Sequence, residues 1–362
     1  MKKLVALVLI AFVIALAVWM NNRSEIQAVY WEAPVQEGSK GSFAPEEQLL
    51  PLSLIDMEGF SGPEDITVNL EGDLFFSTAE GFVLKFSQST KALEKWVFTG
   101  GYPLGLRFDN EQNLLIADAS LGLLRVNSQQ QITVLVNQFE NQPLGFVDAL
   151  DVDEKGIIYF SDASHKFSPR DFGGPEKASE IDIFEHGANG RIYAYDPATN
   201  HLELLVDNLH FANGVALTPD HQALLIVETA NYRVLKYHLH GPNKGELSIV
   251  IDNLPGFPDN IVQHPDFGYW LGLTAPRSKS LDTLSRWPTV RQVLYQLPKA
   301  LKPSAERYGH VVHIDETGQV ITSLQDPSGS YPMTTGAMQY KDKLYVSSLK
   351  TKVIGVRDLN NE

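Results

Sequence analysis

From about residue 49 onward, short apolar runs alternate with clusters of Gly, Asn, Asp and Pro. Runs of this length between turn-forming residues predict β-strands rather than helices. The runs also repeat. Six segments align with one another: "PEDITV" from residue 63, "PLGLRF" from 103, "VDALDV" from 147, "ANGVAL" from 212, "PDNIVQ" from 258 and "TTGAMQ" from 334. Most are followed by a turn and a second run, such as "GDLFFST", "QNLLIAD" or "GIIYFSD", and often by a third, such as "GFVLKF" or "YRVLKYH". Units of this size with several strands each are the mark of propeller blades. The pattern predicts an all-β fold, a six-bladed β-propeller over residues 49–362.

Residues 1–23 break the pattern. Lys2 and Lys3 precede an uncharged apolar run from Leu4 to Met20. Its length predicts a transmembrane signal-anchor, and the preceding lysines place the propeller on the extracytoplasmic, periplasmic side of the cytoplasmic membrane. The small residues Ala15 to Ala17 leave signal cleavage and secretion as the other reading. Residues 24–48 are expected to form a polar linker.

The repeat gives position a meaning. The innermost strand of each blade lines a propeller's channel, and the second residue of each aligned segment is Glu64, Leu104, Asp148, Asn213, Asp259 or Thr335. Four of these six carry carboxylate or amide oxygens. Facing one channel, the three carboxylates would repel unless a cation joined them. An irregular cage of such oxygens suits Ca2+ better than octahedral Mg2+, and Asn260 stands ready to add a fifth ligand. The alternative is that these residues merely cap strand starts.

Composition narrows the chemistry. The chain has 362 residues, a net charge of −15 and no cysteine. The charge argues against a nucleic-acid partner, and the missing cysteines exclude disulfides, thiolate metal sites and a cysteine nucleophile. No G-x-S-x-G elbow, H-E-x-x-H or phosphate loop is present, and "DVDEKGIIYFSD" mimics a calcium loop but reads as a turn and a strand. His165, His310 and His313 are the histidines that could face a pocket. Two insertions interrupt the repeat, 164–190 and 281–301. The second has helical apolar spacing at Leu284, Trp287, Val290, Leu294 and Leu297, within a basic stretch from 275 to 307. It is expected to form a lid, a membrane-resting helix or a helix packed on the propeller flank.

"FANGVALTPDHQALLIVETANYRVLKYHLHG" together with "LPGFPDNIVQHPDFGYWLGL" resembles the strictosidine-synthase-like branch of six-bladed propellers. That branch is related to the gluconolactonase/senescence-marker group and to the paraoxonases. The resemblance runs from about Gly59 to the C-terminus and implies a divalent ion in the channel, held by Glu64, Asn213 and Asp259. Paraoxonase-like members imply Asp148 and Asn260 as further ligands. They also bind a second ion through positions matching Asp65 and Ala149, and the alanine argues against that ion here. The synthases' catalytic glutamate falls near Thr335, which argues against alkaloid-forming condensation.

The implied activity is divalent-metal-dependent hydrolysis of a small-molecule lactone or aryl ester, with the ion polarising the carbonyl and activating water. Asp259 is expected to be required for turnover. Asp118, in "LLIADAS", is the candidate base, because paraoxonases carry a catalytic histidine at about this point; capping of a blade corner is its other reading. A non-enzymatic, calcium-stabilised binding scaffold is the alternative function.

Overall fold

Each aligned segment becomes the first strand of an antiparallel sheet. The computed structural model describes residues 24–37, 40–45, 47–298, 302 and 305–361. Blade 1 comprises strands Ile66–Val68, Leu74–Ser77, Phe82–Phe86 and Leu93–Phe98, and blade 2 comprises Pro103–Phe108, Leu114–Asp118, Gly122–Val126 and Ile132–Val136. Blade 3 uses Val147–Val152, Ile158–Asp162, Gly190–Asp196 and His201–Leu209, and blade 4 uses Ala212–Leu217, Ala223–Glu228, Arg233–His238 and Leu247–Ile251. Blade 5 is built from Gly256–Gln263, Tyr269–Pro276, Gly309–Ile314 and Val320–Asp326. Blade 6 has three strands from the C-terminal end, Thr334–Tyr340, Lys343–Ser348 and Val353–Asp358.

The first strands of neighbouring blades touch in sequence order, and that of blade 6 returns to that of blade 1. This makes a closed six-membered ring with those strands innermost. The fourth strand of blade 6 is Ser53–Asp56, which pairs antiparallel with Val353–Asp358, Ser53 opposite Val356. Glu47–Gln48 adds a parallel edge to blade 5 beside Leu324 and Gln325. The propeller therefore begins at Glu47, inside the expected linker.

The strands near the axis are buried on both faces: all six residues of Ala212–Leu217 and of Ala223–Glu228 are buried. Their β-branched and leucine side chains pack between blades, as where Ile192 of blade 3 meets Leu224, Ile226 and Leu235 of blade 4. Burial of such a side chain contributes about 1.5–3 kcal/mol. The outermost strands face water along one side, as in Leu93–Phe98.

The inner strands share a feature that alternation alone conceals. In blade 3, Val147 pairs with Asp162 and Leu150 with Phe160, so Asp148 and Ala149 together oppose Ser161. The same two-against-one bulge places Leu104-Gly105 opposite Ala117, Asn213-Gly214 opposite Val227, Asp259-Asn260 opposite Gly272 and Thr335-Gly336 opposite Ser347. A bulge bends the strand and re-aims its side chains. It also brings neighbouring inner strands close: a Cβ on Gly214 would lie 2.6 Å from the Asp259 carbonyl oxygen and 2.8 Å from Asn260 Cα.

Each inner strand runs away from the end of the channel where its bulge lies, and the second strand returns to that end. Connections between second and third strands therefore emerge there, at what we call the mouth. Both insertions lie on this face. The first forms helices Pro169–Phe172 and Pro175–Glu185, the second Lys279–Leu284 and Pro288–Tyr295. Residues 24–37, expected as linker, pack against both. The signal-anchor prediction falls on residues 1–23, outside the described residues. Among the described residues, no helix is long and apolar enough to cross a membrane.

Candidate functional site in the central channel

The bulges place Asp148, Asn213, Asp259 and Asn260 at the mouth end of their innermost strands, and Glu64 stands just before the inner strand of blade 1. Glu64, Asp148, Asn213, Asp259 and Asn260 are all buried, between 4 and 8 % exposed. Asn260 Nδ2 donates to Glu64 Oε1 at 2.5 Å and to the Glu64 carbonyl oxygen at 3.2 Å. Thr335 lies beside them, its hydroxyl 2.7 Å from the Glu64 carbonyl oxygen and 2.7 Å from Ser347 Oγ. Residues from blades 1, 5 and 6 thus meet at one place.

The electrostatics join blades 3 and 4 to this group. Burial pushes the Glu64 carboxyl well above its ordinary range, and Asp259, Asp148 and Asp65 push it further, against the Asn260 hydrogen bond. Asp148 is raised by burial first and then by Asp259 and Asp162. Asp259 is raised to about 7, chiefly by burial, although a hydrogen bond from Asn213 opposes the shift. Glu64 Oε2 and Asn213 Oδ1 are buried without a hydrogen-bond partner. Such atoms cost free energy unless something pairs with them.

No three His, Asp or Glu side chains among the described residues are set closely enough to enclose an ion as they stand. One reason is visible in the geometry: Glu64 spends an oxygen on the Asn260 amide. The donor set nevertheless fits a hard divalent cation by its chemistry, with three mutually repelling carboxylates, two amides and two orphaned oxygens.

A second ion beside Asp65 is not supported. Asp65 Oδ2 accepts from Arg107 Nη1 at 2.9 Å and from the Leu106 amide at 2.9 Å, and Oδ1 accepts from the Ile66 amide. The protein's own guanidinium neutralises this carboxylate. Ala149 offers no oxygen from its side chain; its amide donates to Ser161 Oγ at 3.0 Å.

Asp118 is fully buried and occupied at one oxygen. Oδ1 accepts from the amides of Tyr102, Ser120 and Leu121, each at 3.0 Å. Asp162 does the equivalent in blade 3, accepting from Phe146 and Gly145, and Glu228 in blade 4 accepts from His210. Ends of second strands thus tie down the start of their own inner strands. Asp118 Oδ2 is buried without a partner.

The histidines have other places. His310 and His313 lie on the third strand of blade 5, remote from the innermost position. His310 Nε2 pairs with Ser323 Oγ, and burial lowers its pKa to about 3. His313 stacks on His264 and on Trp270, the three rings forming one cluster. His165 Nδ1 bonds to the Asn189 carbonyl within the first insertion.

The mouth itself is roofed. Leu104, Phe146 and Phe211, from the mouth ends of blades 2 to 4, pack with Ala178 and Phe172 of the first insertion. Glu176, at the start of helix Pro175–Glu185, pairs with Lys350 of blade 6 at 2.6 Å. Blade 6 stands opposite blade 3 in the ring, so this helix crosses the mouth. At its far end His186 stacks on His210 of blade 4 on one face and on Trp31 on the other, at 4.1 and 4.0 Å between ring centroids. Residues 26–35 stitch the two insertions together. The Val29 amide donates to the Glu185 carbonyl, the Trp31 amide to the Ser285 carbonyl, and Gln292 Nε2 to the Ile26 carbonyl. Arg291, fully buried, donates to the carbonyls of Phe184 and Val29. The second insertion is helical as expected, and its helices pack on the first insertion and residues 26–35 at the mouth, not on the propeller flank. Its basic stretch is not uniformly a surface, since Arg277 and Arg291 are internal.

This roofed six-bladed propeller shares its architecture with the gluconolactonase-like propellers. A gluconolactonase from Xanthomonas campestris superposes with a TM-score of 0.60 at 15 % identity, over 91 % of this chain and 96 % of that one. A calcium-binding regucalcin from Agrobacterium tumefaciens gives 0.59 at 13 % identity, over 85 % and 94 %. Sequence is more specific than fold here. The family descriptions "Strictosidine synthase-like, N-terminal" and "Strictosidine synthase" match residues 41–86 and 148–242. An adipocyte plasma membrane-associated protein of Danio rerio is 32 % identical over 88 % of this chain and 81 % of its own length. A strictosidine synthase-like protein of Arabidopsis thaliana is 31 % identical over 90 % and 94 %. The chain belongs to the strictosidine-synthase-like family.

Proposed function

We propose that this protein is a divalent-metal-dependent hydrolase of lactones or aryl esters, with Ca2+ as the fitting ion. We also propose that residues 1–23 anchor it in the cytoplasmic membrane, with the propeller on the periplasmic side. The observation that carries the hydrolase reading is the buried set of Glu64, Asp148, Asn213, Asp259 and Asn260, whose carboxyl groups crowd one another and in which Glu64 Oε2 and Asn213 Oδ1 lack partners. Those five side chains would hold the ion. When bound, it supplies polarisation of an ester carbonyl and stabilisation of the developing oxyanion.

The chain's own residues do the rest. Leu104, Phe146 and Phe211 form an apolar rim beside the polar group, which excludes water and receives the hydrocarbon part of an ester. Asp118 enters the proposal through Oδ2 alone, as proton acceptor, because Oδ1 is committed to the blade corner. Thr335 offers a hydroxyl already hydrogen-bonded at the position where a condensation mechanism needs a carboxylate, so ester hydrolysis is preferred to condensation.

One observation favours a second reading, a calcium-stabilised binding scaffold: the roof leaves the five oxygen ligands nearly inaccessible. Hydrolysis of aryl acetates and a lactone panel by the full chain, with calcium, with chelator and with calcium restored, separates the two. Turnover that disappears and returns supports the hydrolase. Absent turnover together with a calcium-raised melting temperature supports the scaffold.

A further inference from the structure

Ile26 is buried against Phe167, Ile181 and Tyr295, so residues 26–35, the strap that joins the two insertions, begin on the roof those insertions form. Only Asn21, Asn22 and Arg23 separate Ser24 from Met20, the last residue of the uncharged apolar run. Four steps of fully extended chain span at most about 14 Å. Whatever holds Met20 holds the mouth face within that distance.

The surface around the strap matches such a position. Trp287 is 61 % exposed and Val35 84 %, and the two line one surface groove between strap and second insertion. Val290 and Tyr30 are also exposed. Arg286 is exposed beside them and loosely paired with Glu32 at 3.8 Å. An exposed tryptophan with aliphatic neighbours and a guanidinium suits the headgroup boundary of a bilayer, where aromatic rings settle and basic side chains meet anionic lipid.

From this geometry we propose that the channel mouth faces the membrane, with Trp287, Val290 and Val35 in contact with an anionic lipid surface. The inference rests on the membrane anchorage proposed above and is independent of hydrolysis. It implies that whatever enters the channel approaches from the lipid side, past a roof whose strap is continuous with the anchor.

The absence of cysteine makes the test clean. Full-length Trp287→Cys and Leu70→Cys proteins are each labelled with an environment-sensitive fluorophore and reconstituted in phosphatidylcholine/phosphatidylglycerol vesicles containing spin-labelled lipid. Leu70 is 84 % exposed in the turn between the first two strands of blade 1, at the opposite end of the channel. Quenching several-fold stronger at position 287 than at 70 is expected. Equal quenching, or a label at 287 that stays unquenched because protein covers it, would overturn the proposal. Val290→Cys serves as a second probe if the tryptophan variant folds poorly. Failure of the protein to float with vesicles would overturn the anchorage reading itself, whatever the enzyme assay gives.

Discussion

Asn260, on blade 5, donates its side-chain N–H to Glu64 Oε1, on blade 1, at 2.5 Å, bridging past the blade that lies between them. An amide turned this way satisfies a carboxylate in the absence of a cation; rotated about its last bond, the same amide presents an oxygen. Under the metal reading proposed above, this contact is the metal-free setting of the pair. Glu64→Gln replaces one of three crowded carboxyl groups with a neutral amide. We expect the chelated protein to gain roughly 1–2 °C in melting temperature, corresponding to about 1 kcal/mol, while the stabilisation by calcium largely disappears. Calorimetry with and without chelator reads both effects.

The pH dependence follows from the same group. Asp259 is raised from 3.8 to about 7 by burial, so the folded, metal-free protein holds this proton more tightly than the unfolded chain. The protonated site's contribution to stability is fully present below about pH 4 and is lost as pH rises through about 7. A cation needs the deprotonated form. The increment in melting temperature from calcium should therefore be small near pH 5 and grow toward pH 8. Asp259→Asn should flatten that profile, and a wild-type increment equal at both pH values would contradict the site.

Asp118 carries two readings that one substitution separates. Asp118→Asn retains an oxygen for the amides of Tyr102, Ser120 and Leu121 but removes the charge. The fold should persist, with turnover reduced about 10²-fold or more if Oδ2 accepts a proton. Unchanged turnover would leave Asp118 as the corner cap alone.

The roof is held by Arg291. Replacing it with methionine removes charge-assisted hydrogen bonds to the part-buried Phe184 and Val29 carbonyls, each contributing about 1.5–3 kcal/mol. Trypsin should then cut faster within 164–190, which contains Lys166, Arg170 and Lys177. Turnover on bulky esters should rise as access eases. Limited proteolysis followed by mass spectrometry locates the cuts.

The blades and four of the five oxygen side chains were legible because six aligned segments put like residues at like places, and Asn260 was legible as the neighbour of Asp259. The bulge that aims them was not, since it breaks the alternation on which strand reading depends. A trace of it is present in the small residues Gly105, Ala149, Gly214 and Gly336 at the third position, with Ser77, Ser161 and Ser347 facing the bend. The Ser161 hydroxyl accepts from the amide of Ala149, and that of Ser77 from the amide of Asp65. The strap escaped notice for a different reason: "IQAVYWEAPV" has no single period, because its neighbours are two separate insertions rather than one sheet or helix face. Arg291 misled in the same way. Its charge suggested a surface, but backbone carbonyls from two other segments surround it.

The pairing of Ser53 with Val356 sets an order of events during synthesis. A ribosome delivers Ser53–Asp56 early, yet its partner Val353–Asp358 is among the last segments to leave the exit tunnel. Until then blade 6 has no inner strands for Ser53–Asp56 to join, and the ring stands open between blades 5 and 1. The nascent chain must hold an unpaired strand edge through nearly the whole of translation, the circumstance in which chains associate wrongly with one another. Closing contacts so distant in sequence also fold slowly. A chain shortened by ten residues would never shut its ring. Closure of the propeller is therefore governed by its C-terminal strands.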